Sequence, residues 1–160
     1  YNLEIEKGWT LEGKTHVEEI PSDGVQRFVR GAAQDMDVIF RKRLDEEGMH
    51  LYYYGPQDIA GSGEYEAVEF LDTTNSAIVV FFDLKTHLPS KWETYRTNQL
   101  GVRQKHEQEL YNWHTIQGVH VPLRYDSFVD GKKTEQRELE AIYFNIDIPP
   151  EYFLQPRLQK

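Results

Sequence analysis

The chain has no cysteine, which removes a disulfide framework, a thiolate metal centre and a cysteine nucleophile together. Cations are in short supply. Eighteen Lys+Arg stand against 27 Asp+Glu, a net charge of −9, and this argues against a protein that works on nucleic acid or on an anionic membrane surface. No apolar run reaches the roughly 20 residues that span a bilayer, so no transmembrane segment is expected. There is no phosphate-binding loop and no dinucleotide fingerprint. Gly61-Ser62-Gly63 lacks the strand-to-helix context that poises a serine nucleophile. The first residues, Tyr1-Asn2-Leu3-Glu4-Ile5-Glu6, are not a basic-then-apolar leader. They already alternate, which leads us to expect that strands or a signal peptide lie upstream.

What is present reads as one domain over residues 1–160, divided into short strands (1–20), a helical segment (22–47), an antiparallel meander (49–145) and a tail (146–160). At that length a chain buries roughly 70% of its unfolded surface and needs no staple. Val25, Phe28, Val29, Ala32, Met36, Ile39, Phe40 and Leu44 recur at helical intervals. Ser22 or Asp23 is the expected cap and Glu47-Gly48 the expected stop. Gly31 weakens the middle, so one long helix and two helices meeting near residues 33–35 are both open.

From Met49 onward, runs rich in β-branched and aromatic residues alternate with short turn sequences, predicting about seven antiparallel strands, with one or two more from residues 2–18. Gln117-Gly118 as a two-residue turn sets Leu110 against Tyr125, Asn112 against Leu123 and His114 against Val121. A two-residue turn at Asp130-Gly131 would place Leu123 opposite Glu138 and bury acids. A three-residue loop, Asp130-Gly131-Lys132, instead opposes Leu123 to Leu139, Val121 to Ala141 and Val119 to Tyr143, and is the register expected. The fold class is α+β: a curved, open antiparallel sheet, a half-barrel of about 7–9 strands, packed on one or two amphipathic helices in its concave face.

Candidate chemistry thins out on inspection. His106 and His114 share a strand but lie about 26 Å apart at extended spacing, too far for one ion. His114 and His120 point to opposite faces. The many acids alternate with apolar residues, as in Glu138-Leu139-Glu140-Ala141, which is the pattern of a sheet's wet face. Asp83-Leu84-Lys85-Thr86-His87 holds an acid, a base, a hydroxyl and an imidazole, yet reads as a turn closed by the Asp83 carboxylate, with His87 at its tip. No metal, cofactor or catalytic residue is expected. The aromatics are mostly core. Some of them, with Met36, Ile39 and Phe40 of the helical segment and Trp92, Leu110, Leu123, Tyr125, Leu139 and Tyr143 of the strands, are the expected lining of an apolar pocket.

The order of pieces resembles the bacterial outer-membrane lipoprotein-sorting (LolA-like) superfamily. Carrying it are Phe40-Arg41-Lys42-Arg43-Leu44 into His50-Leu51-Tyr52-Tyr53-Tyr54-Gly55, then Glu66-Ala67-Val68-Glu69-Phe70 and Val80-Phe81-Phe82-Asp83-Leu84-Lys85-Thr86-His87-Leu88-Pro89. Tyr111-Asn112-Trp113-His114-Thr115-Ile116-Gln117-Gly118 and Ile148-Pro149-Pro150-Glu151-Tyr152-Phe153 come after them. The resemblance implies a non-enzymatic protein of the periplasm or cell envelope that binds a lipid, an acyl chain or another hydrophobic small molecule, with this chain possessing only part of the family's half-barrel. The alternative is an envelope module that docks a protein on the same sheet and has no ligand cavity.

Overall fold

The computed structural model describes residues 1–2, 6–12, 16–58, 64–98 and 100–156. The Gly61-Ser62-Gly63 sequence lies outside them. The chain forms two compact units, one of residues 1–35 with 145–160 and one of residues 36–144.

In the first unit, β1 (Trp9–Glu12) pairs antiparallel with β2 (His16–Glu19), and α1 comes next over Ser22–Ala33. Pro21, not Ser22 or Asp23, takes the cap position, with φ −55° and ψ 150°. Proline's fixed φ suits a helix entry, and the Asp23 carboxylate is drawn instead to Arg27 one turn on. Tyr1 stacks on Phe28 of α1 with ring centroids 3.8 Å apart. A short 3-10 turn occupies Pro150–Phe153.

The helical segment breaks at Gln34–Asp35, where the amides of both residues bond back to the carbonyls of Gly31 and Ala32 at 3.1 Å. Beyond the break the chain makes a single turn, α2 (Met36–Val38), that widens into a π-helical stretch over Ile39–Arg43. The helix therefore ends before the expected Glu47-Gly48 stop. Gly48, at φ +84°, closes the turn into the first strand of the meander.

The second unit is a meander in simple sequence order: β3 (His50–Asp58), β4 (Glu64–Leu71), β5 (Ala77–Asp83), β6 (Pro89–Thr97), β7 (Arg103–Ile116), β8 (Val119–Val129) and β9 (Lys132–Glu138). All pairings are antiparallel, and β3 and β9 are the two ends of an open sheet. The α+β, open-sheet expectation is met. Short polar side chains make the turns. The Asp72 carboxylate accepts from the amides of Thr74 and Ser76 at 2.9 and 3.0 Å. Asp83 accepts from Lys85 and Thr86 at 2.9 and 2.7 Å, as its sequence predicted, and Asn98 accepts from Leu100 and Val102 at 2.9 and 3.0 Å.

The β7–β8 register is the expected one, with Leu110 opposite Tyr125 and His114 opposite Val121. Asn112 departs from it. At φ +56° it interrupts the ladder opposite Leu123, so that Leu110 and Trp113, three residues apart, both pack against the core. The β8–β9 hairpin resolves its register in an unexpected way. Its tip is a two-residue turn, Asp130 at φ +51° and Gly131 at +76°, with Val129 opposite Lys132. A bulge between Ser127 and Phe128 then shifts the pairing by one, so that Arg124 meets Glu138 and the Leu139 amide donates to the Leu123 carbonyl at 2.8 Å. The expected opposition of Leu123 and Leu139 is reached, with the extra residue taken up inside the strand and not at its tip. β9 ends at Glu138, well short of Phe144. It ends at the level where Asn112 leaves Leu123 unpaired, and irregular positions of this kind bend a strand and terminate pairing.

The core lies on one face of this sheet. Phe70, Ile78, Val80, Trp92 and Leu110 are buried together with Ile39 of the π-helical turn. Phe40 from the same turn sets its ring centroid 5.4 Å from that of Phe70 and 6.1 Å from that of Phe82. Arg43 anchors the turn's end to Glu46 and Asp72 at 2.9 and 3.2 Å.

Candidate functional site

Side chains of paired residues stand on the same face of a sheet, so rows of partners map the face that carries the core. One row runs Tyr53, Val68, Val80, Trp92, Gln108, Ser127, Glu135, and the next runs Leu51, Phe70, Ile78, Thr94, His106, Val129. A third begins Arg96 opposite Gln104. Along these rows the face is mainly apolar over β3–β6 and mainly polar over β7–β9, while the Leu110–Tyr125 pair carries apolar surface onto β7 and β8. The change falls between β6 and β7 in the first row and one strand earlier in the second, where Thr94 gives its hydroxyl to the Ala77 carbonyl at 2.6 Å.

On the apolar side the burial is incomplete. Phe70 is 4% exposed, but its neighbours on the edge strand, Leu51 and Tyr53, are 53% and 62% exposed. Tyr53 also gives its hydroxyl to Glu66 at 2.9 Å. On the polar side the groups are linked in series: the Trp92 indole donates to Gln108 at 3.2 Å, and Gln108 donates to Ser127 at 3.3 Å. His106 is held below the usual imidazole range by burial, and then by the nearby Arg96 charge, against an opposing pull from Asp130.

The opposite face carries a charge lattice. Lys91 and Lys105 both reach Glu93 and Glu107, Lys105 at 2.8 and 3.1 Å. Asp126 is bracketed by Arg124 and Lys133 at 2.8 and 3.0 Å. Burial works to raise the Glu107 carboxyl, but hydrogen bonds from Lys91 and Lys105 outweigh it and leave the group more acidic than usual. Asp126, Asp83 and Asp72 are lowered as well. Carboxylates made more acidic are poor proton donors near neutrality, so these acids act as ion-pair and turn partners.

Of the expected lining residues, Met36, Ile39, Phe40, Trp92, Leu110 and Tyr125 come together in or against the apolar cluster. Leu123 and Leu139 are half-buried neighbours across the β8–β9 hairpin. Tyr143 stands apart, 71% exposed. No group of three or more metal-binding side chains gathers among the described residues. His114 bonds Asn112 at 3.0 Å and His120 bonds Thr115 at 3.1 Å.

The sequence reading passed over two features. In the first unit a cleft of about 460 Å³ is lined by one face of α1, Ser22, Val25, Gln26, Val29 and Arg30, together with Glu6. Its signal was the periodic Val25 and Val29. The other is Arg96, which shares the parity of Trp92 and Thr94 along β6 and so points to the core face, a placement readable from alternation alone.

No protein-family model matches the chain, and no curated protein does. Among solved structures it is similar to a LolA superfamily protein, NE2245 of Nitrosomonas europaea, with a TM-score of 0.44 and 13% identity, over 93% of this chain and 66% of that one. The chain spans about two thirds of the length of that protein.

Proposed function

We propose that this chain is a non-enzymatic binding domain of the cell envelope, holding an acyl chain or similarly apolar ligand against the core face of its seven-stranded sheet. Met36, Ile39, Phe40, Trp92, Leu110 and Tyr125 form the packed wall that the ligand rests against, and Leu123, Leu139 and Tyr143 contribute at the margin. The observation that supports this is the continuation of the buried apolar rows onto β3, where Leu51 and Tyr53 present large apolar surface in line with Phe70 and Val68. Exposed apolar surface continuous with a core is the signature of a site that another apolar body completes. The envelope location rests on the resemblance in motif order.

Organic extraction of the purified protein, read by mass spectrometry, should release an acyl lipid. Dodecyl maltoside, added below its micellar concentration, should bind saturably and shift the emission of Trp92 and Trp113. Leu51→Asp should weaken that binding about tenfold, the loss expected for one buried leucine. Lipid-free extracts with no saturable binding would remove the reading. The docking-module alternative draws on a separate observation: β3 carries exposed Leu51, Tyr52, Tyr53 and Tyr54, and no strand pairs with its outer edge among the described residues. Peptide-induced changes confined to β3 amides, with no amphiphile uptake, would favour that alternative.

A further inference from the structure

Among the described residues, the polar side of the core face holds a guanidinium with two buried nitrogens that meet no acceptor. Nε and Nη2 of Arg96 are buried and have no hydrogen-bond acceptor. Arg96 is half-buried as a residue, and guanidinium N–H groups buried without an acceptor are costly and ask for an explanation. Two of the nearby acceptors are already engaged. Asp130 takes the Lys105 amide at 2.9 Å and the Gln104 side chain at 3.3 Å, and Gln108 takes the Trp92 indole. Two carboxylates share this face, Glu66 and Glu135, and they accept from Tyr53 and Arg137 at 2.9 and 2.8 Å. Glu93 on the same strand and Glu107 on β7 point to the other face and are held by lysines. Diagonal to Arg96, across the Thr94–His106 and Arg96–Gln104 pairs, stands His106.

We infer that Arg96 and His106 form an anion-binding end of the core face, which takes the phosphate or carboxylate head of an amphiphile whose tail lies on the apolar rows toward β3. This inference rests on the binding function proposed above and names its ligand class. The geometry accommodates such a molecule. Strands sit about 4.8 Å apart, so the span from β3 to the β6–β7 boundary is roughly 15–17 Å, comparable to an extended acyl chain. The guanidinium's fork matches two oxygens of either anion. A bound anion would add a second negative partner for His106, whose facing groups are Arg96 on β6, Asp130 in the β8–β9 turn and the uncharged Thr94, Gln108 and Val129.

The experiment compares dodecyl phosphate, dodecyl maltoside and inorganic phosphate on the whole chain, by calorimetry and by NMR titration of His106. Dodecyl phosphate should bind at least about tenfold more tightly than the maltoside, as charge-assisted bonds to a buried guanidinium imply, and should raise the His106 pKa. Arg96→Gln should abolish the preference while leaving maltoside binding unchanged, and Arg96→Lys should keep part of it. The melting temperature of unliganded Arg96→Gln should be equal or higher, because a guanidinium with buried N–H groups that meet no acceptor is removed; a purely structural arginine would give the reverse. If Arg96→Gln keeps the phosphate preference while both amphiphiles bind, this inference fails and the binding function stands. If inorganic phosphate alone binds as tightly as dodecyl phosphate, the site takes a free anion and the amphiphile assignment fails. If neither amphiphile binds, the function proposed above fails and takes this one with it.

Discussion

The two halves of the seven-stranded sheet are built on different physics. β3–β6 are held by burial: Ile78 and Val80 are 1% and 0% exposed, and Phe70 and Trp92 pack beside them. β7–β9 bury Leu110 and Val121 but lean more on hydrogen bonds and ion pairs, through Glu107, Asp126 and the Trp92–Gln108–Ser127 chain. The edges differ in the same way. β3 ends the sheet in exposed leucine and tyrosines, whereas β9, Lys-Lys-Thr-Glu-Gln-Arg-Glu, is exposed along its whole length and charged in the manner that keeps a free edge from pairing with other chains. The difference teaches where each property resides: stability in the apolar half, edge protection in the charged half, and the candidate for ligand selection at the seam between them.

The largest effect should come from the apolar half. Phe70→Ala removes a ring that meets Phe40 and the core, and should cost about 3–5 kcal/mol in urea unfolding, with amides of β3–β6 losing protection first. In the polar half, Glu107→Gln takes one acceptor from both Lys91 and Lys105 and should cost about 1–3 kcal/mol. Equal losses from the two substitutions would break the contrast. Acid should separate the halves without mutation. Glu107 and Asp126 titrate below their ordinary values of 4.5 and 3.8 in the folded chain. Their contribution is therefore present above those values and is lost as pH falls through the depressed folded ones. Hydrogen exchange in β8 and β9 should accelerate in that window before exchange in β4 and β5.

Smaller effects are expected at the β5–β6 turn. Asp83→Ala removes the acceptor for two amides and should lower the melting temperature by less than Glu107→Gln does, without altering amphiphile binding. His87 holds φ +57° in that turn, a region costly for a residue with a Cβ. His87→Gly should therefore stabilise slightly, by about 1 kcal/mol or less, and His87→Ala should leave binding intact. Loss of binding on either change, with the fold unaltered, would make this turn a functional segment.

Local rules held at two turns and failed at the α1 cap, where Pro21 stands in place of Ser22 or Asp23. Asp83 closes its turn because a carboxylate two or three residues from free amides needs no other partner, and Gln117-Gly118 sets the β7–β8 register because both residues accept positive φ. The β8–β9 register was legible for the same reason that its bulge was not. Apolar matching fixes which residues must oppose, but it does not say whether the surplus residue sits at the tip or in the strand.

The sequence by itself determined the meander, the strand order and which side of each strand is apolar, because alternation and turn chemistry act over a few residues. Only the tertiary structure decided the rest: the end of β9 at Glu138, and the want of an acceptor for Arg96 among the described residues. Both depend on which groups distant strands bring opposite one another, and no window of neighbouring residues contains that information.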